Sequence, residues 1–229
     1  MNVLLVTPRH FALWDDWVVP PIGIAYVSAY LKQQGCKVFT LNLLSKQGAQ
    51  KDILRAFIHK YSIDAVGTGG LVSQFSQMKE LMDDVKKIDP NILTFMGNTL
   101  VTYSPEEAMR GIENLDIGII GEGEQTSYEL ISAIESGKDF AEVPGIIYRD
   151  GEMLRYTSVR TAIQDLDSLP FPDWDGFNWF EEGVYQPCLS TEKRIVSAPL
   201  VTSRGCPFSC TYCSKSGGGI PLAFVGQYF

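Results

Sequence analysis

From Asn2 onward, short apolar runs rich in Val, Ile and Leu alternate with longer stretches of helical periodicity, the pattern of strand-helix units that build a parallel sheet. Residues 2–7 predict the first strand and residues 22–34 a helix, entered through Pro20-Pro21 and stopped at Gly35, where a left-handed C-terminal residue costs glycine nothing. Ile24, Ala25, Val27, Ser28 and Leu31 give that helix a face for the sheet. The alternation continues with strand 36–43, helix 51–61, strand 65–68, helix 73–88 ending before Pro90, and strand 92–97. Ser104-Pro105-Glu106-Glu107 combines an N-cap hydroxyl, a first-turn proline and early acidic residues, so a short helix to about Arg110 follows. Strand 117–120 and helix 125–136, closed by Gly137, complete five units.

Residues 145–148 and 153–156 then flank Asp150-Gly151, a pair that accepts positive φ at both central positions of a hairpin turn. Residues 163–188, with Pro170, Pro172, Pro187 and interspersed aromatics, read as an ordered linker, and a last strand at about 195–202 leads into a cysteine-rich loop. The predicted class is therefore α/β: a doubly wound, five-stranded parallel sheet of the flavodoxin or Rossmann type, then a small hairpin, a linker and the first strand of a further unit.

With 229 residues, 45% of them apolar, the chain can build one core and an appendage. Its net charge of −8 and the lack of any Lys/Arg run argue against nucleic acid as a partner. No apolar stretch approaches the ~20 residues of a spanning helix, and the start has no basic n-region, so a cytoplasmic protein with no membrane span is expected. Of the five cysteines, three fall within eight residues, which suits a metal site in a reducing compartment better than a disulfide framework.

Those three, Cys206, Cys210 and Cys213, have the spacing to ligate three corners of a four-iron cluster from one loop, leaving the fourth iron open to a substrate. A zinc knuckle or free thiols are the alternatives. Zinc normally takes four ligands, and the only histidines, His10 and His59, lie far away in sequence. Arg204 and Lys215 bracket the loop; their charge could favour a reduced cluster, or simply be solvated.

In an open sheet of this kind ligands bind beyond the carboxyl ends of the strands. The loop at 8–19 is long and carries Trp14-Asp15-Asp16-Trp17, either a ligand cover or a surface loop packed on its own tryptophans. Gly69-Gly70, Gly97-Asn98 and Gly121-Glu122-Gly123-Glu124 stand at later strand ends, where bare backbone admits a large ligand or simply makes tight turns. No G-x-G-x-x-G follows the first strand and no Walker lysine loop occurs, so nucleotide cofactors lose ground.

The string Ser203-Arg204-Gly205-Cys206-Pro207-Phe208-Ser209-Cys210-Thr211-Tyr212-Cys213-Ser214 closely resembles the signature of the radical S-adenosylmethionine superfamily. The resemblance implies a [4Fe-4S] cluster on Cys206, Cys210 and Cys213 that cleaves S-adenosylmethionine to a deoxyadenosyl radical. Tyr212 matches the family position that packs on the adenine, although a core aromatic is the plain alternative. Residues 20–31 (PPIGIAYVSAYL), Asp64-Ala65-Val66-Gly67 and Gly121-Glu122-Gly123-Glu124 look like the cobalamin-binding domain that precedes such radical domains, as in proteins of the anaerobic magnesium-protoporphyrin IX monomethyl ester oxidative cyclase type. The likeness covers roughly residues 1–215. It implies a corrin on the carboxyl edge of the sheet, with Thr68, Gly69, Gly70, Gly97, Asn98, Gly121, Glu122 and Gly123 as cobalamin contacts. Two departures stand out: the Asp-x-His-x-x-Gly motif that supplies a lower cobalt ligand is missing, and Met96-Gly97-Asn98-Thr99 replaces a Gly-Gly pair followed by histidine.

The expected organisation is a cobalamin-binding-like domain at 1–140, a hairpin and linker at 141–194, and at 195–229 the start of a radical barrel. Only 16 residues follow Cys213, whereas a full barrel takes about 200 or more, so the chain reads as truncated and catalytically incomplete. The resemblance implies a small-molecule substrate, an external one-electron reductant such as ferredoxin or flavodoxin, and methyl transfer, cyclisation or rearrangement at an unactivated carbon. The rival readings are a stand-alone cobalamin carrier with a vestigial cysteine loop, and a zinc-binding interaction protein.

Overall fold

A computed structural model of the chain describes residues 1–9, 22–44, 46–180, 199–205 and 211. Five parallel strands form the centre: β1 (Asn2–Thr7), β2 (Lys37–Asn42), β3 (Ala65–Gly69), β4 (Leu93–Gly97) and β5 (Ile117–Ile119). A hairpin of β6 (Ile146–Asp150) and β7 (Met153–Tyr156) continues the same sheet, giving the order β2-β1-β3-β4-β5-β6-β7. β6 pairs antiparallel with β5, so the hairpin extends the sheet rather than following it as a separate piece. Ile146 and Ile147 are both buried in that position, and an otherwise open edge of β5 is covered.

Six helices connect the strands: α1 (Ile22–Gln33), α2 (Gln50–Tyr61), α3 (Phe75–Ile88), α4 (Thr99–Tyr103), α5 (Pro105–Gly111) and α6 (Gly123–Glu135). They lie on both faces of the sheet, which explains why β1 is apolar at successive positions instead of alternating. Leu4 and Val6 join a core with Leu54 and Ile58 of α2 and Leu81 and Met82 of α3. Val3 and Leu5 point the other way, into a core with Ala25 and Leu31 of α1 and Leu130 and Ile131 of α6.

Gly35 ends α1 at φ +84, with the Cys36 amide donating back to the Leu31 carbonyl at 2.9 Å, the glycine-capped arrangement its position predicted. Three local details differ from the sequence reading. Asp150 pairs with Met153 across the hairpin, so the two-residue turn is Gly151-Glu152, and only Gly151 has positive φ, at +62. Ser104 precedes α5 but its hydroxyl makes no capping hydrogen bond; Pro105 carries the helix start. The connection after β4 folds as α4, capped by the Asn98 side chain, which accepts from the Thr99 amide at 2.6 Å.

The linker is part of the second core. Trp174, Phe177 and Trp179 are buried there, and Asp173 fastens the strap to α1 by accepting from Ser28 Oγ at 2.5 Å and Lys32 Nζ at 2.6 Å. Residues 199–202 carry no strand, and 195–198 lie outside the described residues. Among the described residues no helix is long and apolar enough to cross a membrane.

Candidate functional site

The strand order reverses around β1, which has β2 on one side and β3 on the other; ligands of this architecture sit at the carboxyl edge beside such a point. The register puts Val6 beside Thr68 and Gly69 beside Gly97, so the ends of β1, β3 and β4 form one continuous rim, with Ile119 of β5 next in line. Along this rim the side chains thin out. A Cβ added at Gly69 would lie 3.4 Å from the Asn98 Cβ and 3.5 Å from the Gly97 carbonyl oxygen, and one at Gly97 would lie 3.7 Å from the Ile119 Cβ. Among the described residues no neighbour forbids a side chain at either position, so packing against them does not require bare backbone here.

The other predicted contacts are spent differently. Thr68 is buried and its hydroxyl donates to the Val6 carbonyl at 2.7 Å, tying β3 to β1. A Cβ on Gly70 would come within 2.8 Å of Gln74 Oε1 and 3.0 Å of Met78 Sδ, and one on Gly123 within 3.1 Å of Val27 Cγ2. Gly70 thus stands against the flexible ends of two side chains, and Gly123 against Val27 of α1. Gly121 takes φ +82, a left-handed turn that favours glycine, while its amide donates to Thr102 Oγ1 at 3.0 Å. Asn98 also has positive φ, at +84, and is exposed at the rim. At the end of β1 the buried Thr7 hydroxyl has no hydrogen-bond partner among the described residues.

A large planar cofactor with amide side groups suits the chemistry of such a rim: glycine backbone at Gly69 and Gly97 leaves space, and Asn98 is an exposed polar side chain beside it, whereas the Thr7 hydroxyl is buried. The loop 10–21 lies outside the described residues, and so do Tyr212, Cys206, Cys210, Cys213 and Lys215. Among the described residues no group of three or more His, Cys, Asp or Glu side chains could hold a metal ion.

The described stem of the cysteine loop does reach this rim. Arg204 donates through Nη1 to Glu122 Oε1 at 3.1 Å and through Nη2 to Glu124 Oε1 at 2.5 Å, and its guanidinium lies over the Tyr26 ring at 5.3 Å. Glu122 accepts the Ile163 amide with its second oxygen at 2.6 Å. The Glu124 side chain is 5% exposed, and that of Arg204 19%. Burial alone would lower the Arg204 pKa, but the hydrogen bonds and charges of Glu124 and then Glu122 outweigh it and hold the value above that of a free arginine. Arg204 is therefore neither a solvated charge nor a free positive field beside the cysteine loop, because two carboxylates face one guanidinium. Sequence reasoning singled out Glu122 and Arg204 separately. It missed Glu124 and Tyr26 as site residues, and 80 positions separate Arg204 from Glu124, a distance at which no local pattern signals a pair.

The chain is 29% identical over 94% of its length to an uncharacterised methyltransferase of Pyrococcus horikoshii, of which it covers 46%. It is 28% identical, again over 94%, to the anaerobic magnesium-protoporphyrin IX monomethyl ester cyclase of Rubrivivax gelatinosus, covering 39% of that protein. It thus spans less than half the length of these curated relatives. Its fold matches the radical S-adenosylmethionine methyltransferase TsrM from Kitasatospora setae, solved with cobalamin and a [4Fe-4S] cluster, at TM-score 0.66 and 21% identity over 98% of this chain and 44% of that one. The cobalamin-dependent S-adenosylmethionine radical enzyme OxsB matches at TM-score 0.64 and 22% identity, over 93% and 28% of the two chains. Residues 17–131 match the family described as the B12 binding domain, half of the chain, and that stretch contains the glycine rim of β3, β4 and β5. The chain belongs to the B12-binding domain family.

Proposed function

We propose that this chain is the cobalamin-binding portion, with the cluster loop, of a radical S-adenosylmethionine enzyme that performs methyl transfer, cyclisation or rearrangement at an unactivated carbon of a small molecule. The observation that carries the reading is the conjunction of two features on one edge: the bare glycine rim of a B12-binding domain, and Arg204 docked beside it two residues before Cys206. A cobalamin carrier alone would have no need of a Cys-x-x-x-Cys-x-x-Cys motif beginning two residues after an arginine docked beside its rim.

In this reading a corrinoid rests on Gly69 and Gly97, with Asn98 donating to its amide groups. Thr68, Gly70, Gly121, Glu122 and Gly123 contribute backbone only, because their side chains or missing side chains are committed to the fold. With no Asp-x-His-x-x-Gly motif the chain offers no histidine from that motif to the cobalt. Cys206, Cys210 and Cys213 hold a [4Fe-4S] cluster with one iron open, and Tyr212 packs on the adenine of S-adenosylmethionine. When bound, the cluster would supply one electron to the sulfonium, drawn from a reductant such as ferredoxin or flavodoxin. The chain's own part is to bind the two cofactors at one rim and hold their separation.

The test is anaerobic reconstitution with iron and sulfide, followed by hydroxocobalamin and gel filtration. The expected result is four irons per chain with charge-transfer absorbance, lost in Cys206→Ala, and cobalamin co-eluting at about one per chain. Tight zinc binding without such absorbance would replace this reading with the zinc-bound interaction protein. Cobalamin uptake without iron would leave a carrier module.

A further inference from the structure

We infer that Arg204 is a positioning residue: with Glu122, Glu124 and Tyr26 it forms a clamp that fixes the stem of the cysteine loop at a set place on the carboxyl rim of the B12-binding domain. The inference rests on the function proposed above only for what the loop carries; the clamp itself is a statement about this chain's own side chains.

Four features make the contact a clamp rather than a surface ion pair. First, the two carboxylates stand two positions apart at the start of one helix: Glu122 is the residue before α6 and Glu124 lies in its first turn. The start of a helix favours negative charge, so both are already stabilised where they stand. Secondly, the pair is withdrawn from water. A 5% exposed carboxylate with a single guanidinium partner is held far more firmly than exposed pairs, because removing that partner strands a buried charge. Thirdly, the guanidinium fork addresses two different carboxylates while its face rests on Tyr26, which fixes its plane as well as its position. Lysine, a point charge, could satisfy only part of this. Fourthly, Glu122 is tied on its other side to the Ile163 amide, so the anchor is braced by the linker.

The geometry bears on the cofactors through the place of Glu122, between Gly121 in the β5–α6 loop and Gly123, the first residue of α6. The stem of the cysteine loop is therefore held by side chains that stand at the carboxyl end of β5, on the same edge of the sheet as Gly69 and Gly97. Only Gly205 separates Arg204 from Cys206, so a fixed Arg204 limits where the first thiolate can stand relative to the rim.

The test uses the full chain with its five cysteines replaced by serine and nitroxide labels on Ser203→Cys and Lys138→Cys, both exposed positions, read by pulsed dipolar EPR. A single narrow distance peak is expected with Arg204 present. In Arg204→Met the distribution should be at least twice as wide with unchanged helical circular dichroism, and Arg204→Lys should narrow it part of the way back. Arg155→Met, which loses an exposed pair with Asp150, should leave the peak as it was. If Arg204→Met does not fold, Arg204→Met/Glu124→Gln, which leaves no formal charge at either of those positions, gives the reading instead. A peak unchanged by these substitutions, or one already as broad in the native sequence, overturns the clamp. Iron uptake by the cysteine-intact chain keeps this apart from the proposed function. A native chain that takes up no iron while the labels respond to Arg204 removes the enzyme reading and leaves the clamp; iron uptake with labels indifferent to Arg204 removes the clamp alone.

Discussion

Gly97→Val isolates what the glycine rim is for. Among the described residues an added Cβ at Gly97 would meet only Ile119, at 3.7 Å to its Cβ and 3.9 Å to its carbonyl oxygen, ordinary van der Waals distances. The position lies at the end of β4 and needs no positive φ, and valine is the better strand residue, so the fold should be unaffected or slightly stabilised. A corrin lying on the rim would meet two new methyl groups where it now meets backbone. Overpacking of this kind costs about 1–3 kcal/mol. At 1.4 kcal/mol per tenfold, the dissociation constant for hydroxocobalamin should rise by roughly 5- to 150-fold. Equilibrium dialysis, with cobalamin read by absorbance, measures the shift, and a thermal melt checks the fold. Gly67→Ala is the matched contrast: its Cβ would sit 2.8 Å from Leu5 Cδ2 and against the Phe95 ring, so it should lower stability by about 1–3 kcal/mol while the folded fraction binds normally. Native affinity in Gly97→Val would show that no ligand rests on β4. A collapse of its melting temperature would show instead that the glycine serves packing.

Trp179→Ala should cost about 3–5 kcal/mol, roughly 6–20 °C in melting temperature for a chain of this size, because the linker side chain is buried in the sheet's second core. Trp174→Phe should be nearly neutral in the same melt, since the indole nitrogen it removes is buried without a hydrogen-bond partner among the described residues. Gly118→Val should destabilise by about 1–3 kcal/mol in urea unfolding, as its Cβ would stand 2.6 Å from Ile147 Cγ2 and 2.8 Å from Val101 Cγ1. Burial raises the Cys36 thiol above its ordinary 9.0, so iodoacetamide at pH 8 should modify it more slowly in the folded chain than in urea. A thiol raised on folding contributes stability below its unfolded value that is lost as pH rises through the folded one, so this contribution should fade only above pH 9.

The elements that sequence periodicity located are those whose burial repeats locally. β1 was legible because both of its faces are covered, and α1 because Gly35 stops it. α4 was not, since Thr99–Tyr103 is five residues long and makes a helix only where Asn98 adopts positive φ and caps it. Asp150-Gly151 signalled the hairpin correctly, but the turn shifted by one residue because Asp150 is spent on pairing with Met153. At the site, the glycines were visible while their separate duties were not: Gly69 and Gly97 are open, whereas Gly70 and Gly123 are pressed against Gln74 and Val27. The Arg204 contact depends on where the chain returns after about 80 residues, and no spacing rule reaches that far.

That return has a topological cause. The chain leaves α6 and enters β6 at the carboxyl edge, where Ile146 pairs with Ile119. β6 runs down the sheet and β7 runs back up, so Tyr156 ends opposite Ile147, again near the carboxyl edge. A single added antiparallel strand would have delivered the chain to the opposite edge, away from every rim glycine. With two, the segment after β7 arrives beside the β5–α6 loop; the Gly145 amide reaches the Ser158 carbonyl at 2.8 Å and the Ile163 amide reaches Glu122. Glu122 is thus held by the Ile163 amide through one oxygen and by Arg204 through the other. The hairpin, which looks like an ornament on a five-stranded sheet, sets the edge at which the linker begins, and so brings Ile163 to the carboxylate that receives Arg204.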